Sequence, residues 1–172
     1  MAEIKLGFMP RALCGKCFCR TVEKRIRRYI RLKYPLKKED TLNIMDDNSL
    51  DAKVLIFAMK NLQEDFPFKL KALKAAPRGG MIAFPWNLDD AAASFVEGVI
   101  FKKAFKMPPA PLSVVHPEEI KIFAKIKGIK GSPGKRLGCR GKQVLGGLNK
   151  LEEKHPDIKF SILNFFSEIN SH

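Results

Sequence analysis

The sequence has no apolar run of the ~18 residues that a membrane span needs. Its N-terminus also lacks a long apolar segment followed by a cleavage site. Neither a membrane anchor nor a secretory signal is therefore expected. Cysteine is scarce: there are four in 172 residues, and Cys14, Cys17 and Cys19 lie close together. A secreted disulfide framework spreads its cysteines to staple distant loops, so this spacing points to a reducing cytoplasm. No internal repeat is present. Hydrophobic residues at 45% and charged residues at 29% exclude collagen-like, disordered and low-complexity classes. The length fits one soluble unit with a core of its own.

Acidic residues are the scarcer charge, 18 against 32 basic, for a net charge of +14. The imbalance is uneven. Arg20 to Lys38 holds nine basic residues and one acid, Glu23. Lys121 to Lys142 holds eight basic residues and no acid. Between them, Glu39 to Asp65 holds seven acids and two lysines. Clusters of this kind favour phosphate-rich partners through counterion release, against the plainer reading of a solvated surface. The first block lacks the aromatic-rich apolar face of an interfacial helix, so a membrane partner is not expected. Arg27, Arg28 and Arg31 in the first block, and Lys130, Lys135, Arg136 and Arg140 in the second, are the candidate RNA contacts.

Hydrophobic periodicity predicts a helix over 18–33, with Phe18, Val22, Ile26, Tyr29 and Ile30 inward and a cationic strip outward. Pro35 should end it. A β-prone run, 41–45, leads through the turn cluster Asp46-Asp47-Asn48-Ser49 into a helix over 50–64. Further strands are expected at 66–73 and 81–84, and a helix from Asn87 to about Phe105. Strand, helix, strand, strand, helix suggests a small α/β core with a parallel sheet. The last third reads as helical. One helix opens on Pro117-Glu118-Glu119 and stops at Gly128. A basic Gly-rich loop spans 127–141. Helices follow at about 142–154 and 160–169. The chain thus divides into a cysteine segment with its basic helix (1–38), an α/β core (39–110) and a basic helical region (111–172).

Two strings carry candidate chemistry. In Cys14-Gly15-Lys16-Cys17, a Cys-x-x-Cys pair with glycine inside lets two thiolates face one ion across a tight turn. Cys19 is a candidate third ligand, and Cys139 or a histidine a fourth. The alternative is a set of free, partly buried thiols. Zinc or iron would suit such a site. In Pro85-Trp86-Asn87-Leu88-Asp89-Asp90-Ala91, Asn87 reads as a helix N-cap with two acids in the first turn. The sharper reading is that Asp89 and Asp90, at a strand-to-helix switch, hold Mg²⁺ or orient a nucleotide, together with Ser49.

Taken in order, these strings resemble the tRNA 2-thiolation enzymes of archaea and eukaryotes, members of the PP-loop ATP pyrophosphatase superfamily. Leu13-Cys14-Gly15-Lys16-Cys17-Phe18 is similar to the end of that family's zinc ribbon, which runs into a basic helix. Pro85-Trp86-Asn87-Leu88-Asp89-Asp90-Ala91-Ala92 is similar to its Gly-His-Asn-x-Asp-Asp-x-Ala motif. Ser132-Pro133, followed by Leu151-Glu152, Pro156 and Phe160-Ser161-Ile162-Leu163, is similar to its Cys-Pro string and final helices. The resemblance implies a reduced PP-loop fold, a small parallel sheet with flanking helices and a helical C-terminal third. It implies tRNA as partner, ATP with Mg²⁺, and a metal or cluster on cysteines.

The departures fall on the catalytic apparatus. The family's Ser-Gly-Gly-x-Asp-Ser loop is here Met45-Asp46-Asp47-Asn48-Ser49-Leu50-Asp51. Without the glycines the backbone does not readily cradle pyrophosphate, and the added acids repel it. The family's central Cys-x-x-Cys has no counterpart, and Ser132 stands in place of a cysteine. No catalytic residue is assigned, and ATP and Mg²⁺ are disfavoured as ligands. Three readings follow: a degenerate homologue that binds tRNA, a homologous thiolation subunit or a second copy; an active thiolation enzyme with an atypical loop; and a small metal-knuckle RNA-binding module. Two thiolates form an open half-site, so elemental analysis of protein purified without chelator should find substoichiometric zinc or iron. Full tetrahedral occupancy in a monomer would mean that further ligands exist.

Overall fold

Why the chain folds around residues 41–45 follows from their pattern. Leu42 and Ile44 are fully buried, and this short β-prone strand lies between two others. The computed structural model describes residues 3–34, 36–75, 77, 79–103, 105 and 107–169. Two strands, β1 (Glu3–Ile4) and β2 (Leu13–Cys14), pair antiparallel. Helix α1 (Gly15–Lys33) follows, then β3 (Thr41–Met45), α2 (Leu50–Asp65), β4 (Lys69–Leu73), β5 (Met81–Ala83) and α3 (Leu88–Ile100). A 3-10 turn at Pro111–Val114 leads to α4 (Pro117–Lys127), α5 (Cys139–Glu152) and α6 (Ile158–Ile169).

The three-stranded sheet is parallel, in the order β4-β3-β5. Thr41 pairs with Lys69 and Met45 with Leu73 on one side; Leu42 pairs with Met81 and Ile44 with Ala83 on the other. The parallel β3–α2–β4 unit uses a helix to return the chain, as such pairs require. Gly80 has φ +91°, and a Cβ there would press on the Asn43 amide at 3.3 Å, so this turn into β5 needs glycine.

Two apolar clusters hold the helices. In the first, Phe18, Cys19, Val22, Ile26 and Ile30 of α1 meet Leu42 and Ile44 of β3, Val54, Leu55 and Met59 of α2, and Ile120 and Phe123 of α4. The spacing of three and four along α1 puts these side chains on one stripe. In the second, Ala92 and Ala93 of α3 let Leu148 of α5 approach closely, with Val96, Val144 and Ile162 around them.

The architecture is the expected α/β one, with specific differences in extent. Helix α1 starts at Gly15 rather than residue 18, which makes Cys17 helical along with Cys19. The strand expected from residue 66 begins at Lys69. Helix α3 stops at Ile100, not near Phe105, because Lys102 turns into the left-handed region at φ 50°. Helix α5 starts at Cys139, so Arg140 is on a helix rather than in the Gly-rich loop. Gly128 caps α4 in the left-handed conformation, as its position in the sequence suggested. Pro35, the expected stop for α1, lies outside the described residues. Among the described residues no helix is long and apolar enough to cross a membrane.

Leu42, with no exposed surface at the centre of the sheet, sets the first cluster. Leu42→Ala should lower unfolding free energy by about 2–5 kcal/mol in urea titration. A loss below about 1 kcal/mol would mean that the cluster does not centre on β3.

Candidate functional site

The turn between β3 and α2 carries no glycine, and it folds on itself. Asp46 accepts from the Asn48 N–H at 2.9 Å, and Asp47 accepts from the Ser49 N–H at 3.1 Å. Asn48 takes φ 60°, a conformation asparagine tolerates. Ser49 is the N-cap of α2, its hydroxyl accepting from the Ala52 N–H at 3.1 Å. The Leu50 N–H donates to the Ser132 carbonyl at 2.7 Å. Four amide groups that a phosphate-binding turn would present are thus bonded within the chain.

That last bond draws the segment before α5 across the start of α2. Ser49 and Ser132 form a parallel bridge. A Cβ on Gly131 would lie 2.7 Å from the Leu50 Cα, so only glycine permits this approach of two backbones. Five residues after Gly131, Arg136 enters the corner. Its side chain is only 9% exposed. Nη1 donates to Asp51 at 2.8 Å and to Asp90 at 2.9 Å. Nη2 pairs with Asp47 at 2.8 Å and donates to the Ser49 hydroxyl. Both terminal nitrogens of the guanidinium are therefore engaged, while its Nε is buried without a partner. Three carboxylates from two helix N-termini converge on one cation.

The electrostatics follow the burial. Desolvation pushes the Asp90 carboxyl above its ordinary value, against the pull of Arg136 and the Asn87 N–H. Asp47 is also desolvated, but hydrogen bonds from Ser49 and the charge of Arg136 hold it below the usual carboxylate range. Burial opposes the Arg136 charge, yet Asp51 and Asp90 more than compensate, so the guanidinium stays ionised.

Asp90 completes a capping box with Asn87. Its neighbour Asp89 turns to a different cation. Lys159 of α6, 1% exposed, donates to Asp89 at 2.6 Å, to Asn149 at 2.7 Å and to Glu152 at 2.7 Å. Of the expected nucleotide set, the structure brings Ser49 and Asp90 together on Arg136, while Asp89 belongs to Lys159. A cleft of about 520 Å³ remains beside this corner, with Ile120 and Leu145 among its walls and Lys121, Lys135 and Lys142 at its edge.

Two expectations need correction. Arg136 is not a surface group for RNA, because its charge is spent inside on three carboxylates. Cys19 is not beside Cys14 and Cys17 as a ligand; it lies in the α1 core stripe, 4% exposed, where burial pushes its thiol up. Cys14 caps α1, with Cys17 in the first turn. Among the described residues no group of three or more His, Cys, Asp or Glu side chains is placed to hold a metal ion. The remaining basic candidates Arg28, Arg31, Lys130, Lys135 and Arg140 are exposed, Arg140 over the Phe101 ring at 4.8 Å. Arg27 pairs with Asp65 at 2.5 Å. The sequence did not single out Asp47, Asp51 or Lys159. Acids at a turn flanked by buried apolar residues do signal a distant cation, since buried carboxylates must be paired.

A small parallel sheet with flanking helices, its first strand-to-helix turn facing the start of a later helix, defines the chain as an α/β protein. The sequence matches no protein-family profile and no curated protein. Among solved structures it is similar to the U34-tRNA thiolase NcsA from Methanococcus maripaludis, described with its 4Fe–4S cluster. The TM-score is 0.73 at 15% sequence identity, covering 94% of this chain and 82% of that one. The fold is therefore similar to that of this thiolase, as the motifs suggested. The cluster named for that protein does not fit the residues here. Iron–sulfur clusters are held by several cysteine thiolates, Cys19 faces the core, and Ser132 stands where the resemblance implied a cysteine.

Replacing Arg136 by methionine should cost about 3–5 kcal/mol of stability near neutral pH, because three carboxylates lose their shared cation. Asp47, held low in the fold, stabilises it at neutral pH and loses that contribution as pH falls through the acid range. Asp90, pushed up, destabilises at neutral pH and is relieved by acid. Without Arg136 both carboxylates favour protonation, so the deficit of Arg136→Met should shrink on acidification. Urea titrations at about pH 7 and about pH 4.5 measure this. A deficit of equal size at both would refute the charge account.

Proposed function

We propose that the chain is a degenerate relative of the tRNA-thiolating ATP pyrophosphatases. It binds tRNA, a homologous thiolation subunit, or both, in the cytoplasm, and performs little ATP chemistry of its own. The observation that carries this reading is the Arg136 cluster. It stands at the turn where the resembling enzymes hold pyrophosphate. A phosphate group entering there has to displace a guanidinium from Asp47, Asp51 and Asp90 and then face those carboxylates. It also finds the amides of Asn48, Ser49, Leu50 and Ala52 already bonded. Both features raise the free-energy cost of nucleotide entry.

The RNA half of the reading rests on charge. The internal ion pairs use Arg136 and Lys159 but leave Arg28, Arg31, Lys130 and Lys135 at the surface. These groups suit phosphate neutralisation, and fold similarity to a tRNA thiolase agrees with it. No metal is needed for binding of this kind.

Calorimetric titration with ATP and Mg²⁺ should show affinity no better than about millimolar, roughly −4 kcal/mol. tRNA binding should weaken with salt, with a log–log slope of about −0.7 to −0.9 per phosphate contact. Micromolar ATP binding that is lost in Asp90→Asn would overturn the degenerate reading in favour of an active enzyme.

A further inference from the structure

A groove runs between α1 and the end of α2, away from the Arg136 corner, with a volume of about 940 Å³. That is within the ~300–1,000 Å³ range of clefts that hold ligands. Its rim and its floor differ in chemistry. Arg20, Lys24, Arg28 and Arg31 line it and form no ion pair among the described residues. Its acids are already neutralised: Glu23 pairs with Lys127 at 3.4 Å, and Asp65, next to the groove's Phe66, pairs with Arg27. The groove therefore carries uncompensated positive charge. Leu62 and Phe66 form apolar lining, and Leu32, 65% exposed, stands among the arginines.

We propose that this groove takes an unstacked nucleobase of single-stranded RNA, with the flanking phosphates on Arg20, Lys24, Arg28 and Arg31. The proposal rests on the RNA-binding reading and goes beyond it by naming the form of RNA. A duplex presents phosphates on a convex surface and keeps its bases stacked inside, so it satisfies the rim and leaves the floor wet. An unpaired base brings a flat apolar face and two adjacent phosphates together, which matches rim and floor at once. Arginine outnumbers lysine in the lining by four to one. Its planar fork both pairs with phosphate and stacks on a base, whereas an acidic peptide helix asks only for point charges.

The test uses the full chain and two fluorescent RNAs with equal phosphate counts, one a hairpin with an unpaired loop and one a blunt duplex. Anisotropy is read over a range of salt. The wild type should bind the looped RNA at least about fivefold more tightly than the duplex. Leu32→Ser changes an exposed side chain and should leave the circular-dichroism melt unchanged. It should remove most of that preference while keeping duplex affinity and salt slope. Arg28→Gln with Arg31→Gln should weaken both RNAs and reduce the slope. Salt-dependent binding of both RNAs with no preference, or a Leu32→Ser effect equal on both, overturns this proposal but spares the RNA reading. Failure of either RNA to bind, or displacement of RNA by a polyglutamate peptide at equal charge concentration, overturns both.

Discussion

Three parts of the chain meet on the guanidinium of Arg136: the turn before α2, the first turn of α3 and the segment leading into α5. Asp51 and Asp90 would each be costly alone at that depth, while Asp47 adds its charge from the exposed side. One fixed cation gathers them: Nη1 serves Asp51 and Asp90, and Nη2 serves Asp47 and the Ser49 hydroxyl. The segment carrying Arg136 reaches the corner only because Gly131 allows backbone contact with Leu50 and because the Leu50 amide has the Ser132 carbonyl to bond. A second hub repeats the device. Lys159, buried by α3, α5 and α6, ties Asp89 to Glu152 and Asn149. Adjacent aspartates at one helix start are thus shared out between two internal cations. Ion pairs of this depth add little net stability over apolar packing, but breaking one is expensive, so they specify arrangement.

A nucleotide loop works by presenting unpaired amides and attracting metal-bound phosphate. Here the amides are bonded within the chain, and the acids already have a protein cation. The fold is similar to that of a tRNA thiolase, and the turn between β3 and α2 is satisfied from inside. What the fold still offers outward is charge, on the exposed face of α1 and around Lys130 and Lys135.

Local features were legible in the sequence. The stripe Val22, Ile26 and Ile30, the cap at Ser49, the capping role of Asn87 and the stop at Gly128 each depend on neighbours within about one helical turn. The short strands β1 and β2 and the 3-10 turn carry too few residues to show a period. Cys19 was readable but misassigned. With Val22 and Ile26 it keeps the inward spacing of α1, and that pattern outweighs its closeness to Cys17. Arg136 and Lys159 were not readable as hubs. Asp51 lies 85 residues from Arg136 and Asp89 lies 70 from Lys159, and nothing local marks which of 32 basic residues turns inward.

Arg136 should occupy the corner between the starts of α2 and α3 whether or not a nucleotide is present. Nitrogen-15 NMR of the arginine side chains tests it most directly. The Arg136 guanidinium, buried and bonded through Nη1 and Nη2, should give resolved, slowly exchanging N–H signals that vanish in Arg136→Met and do not shift when Mg–ATP is added at about millimolar concentration. Saturating shifts of those signals at micromolar Mg–ATP would contradict the account.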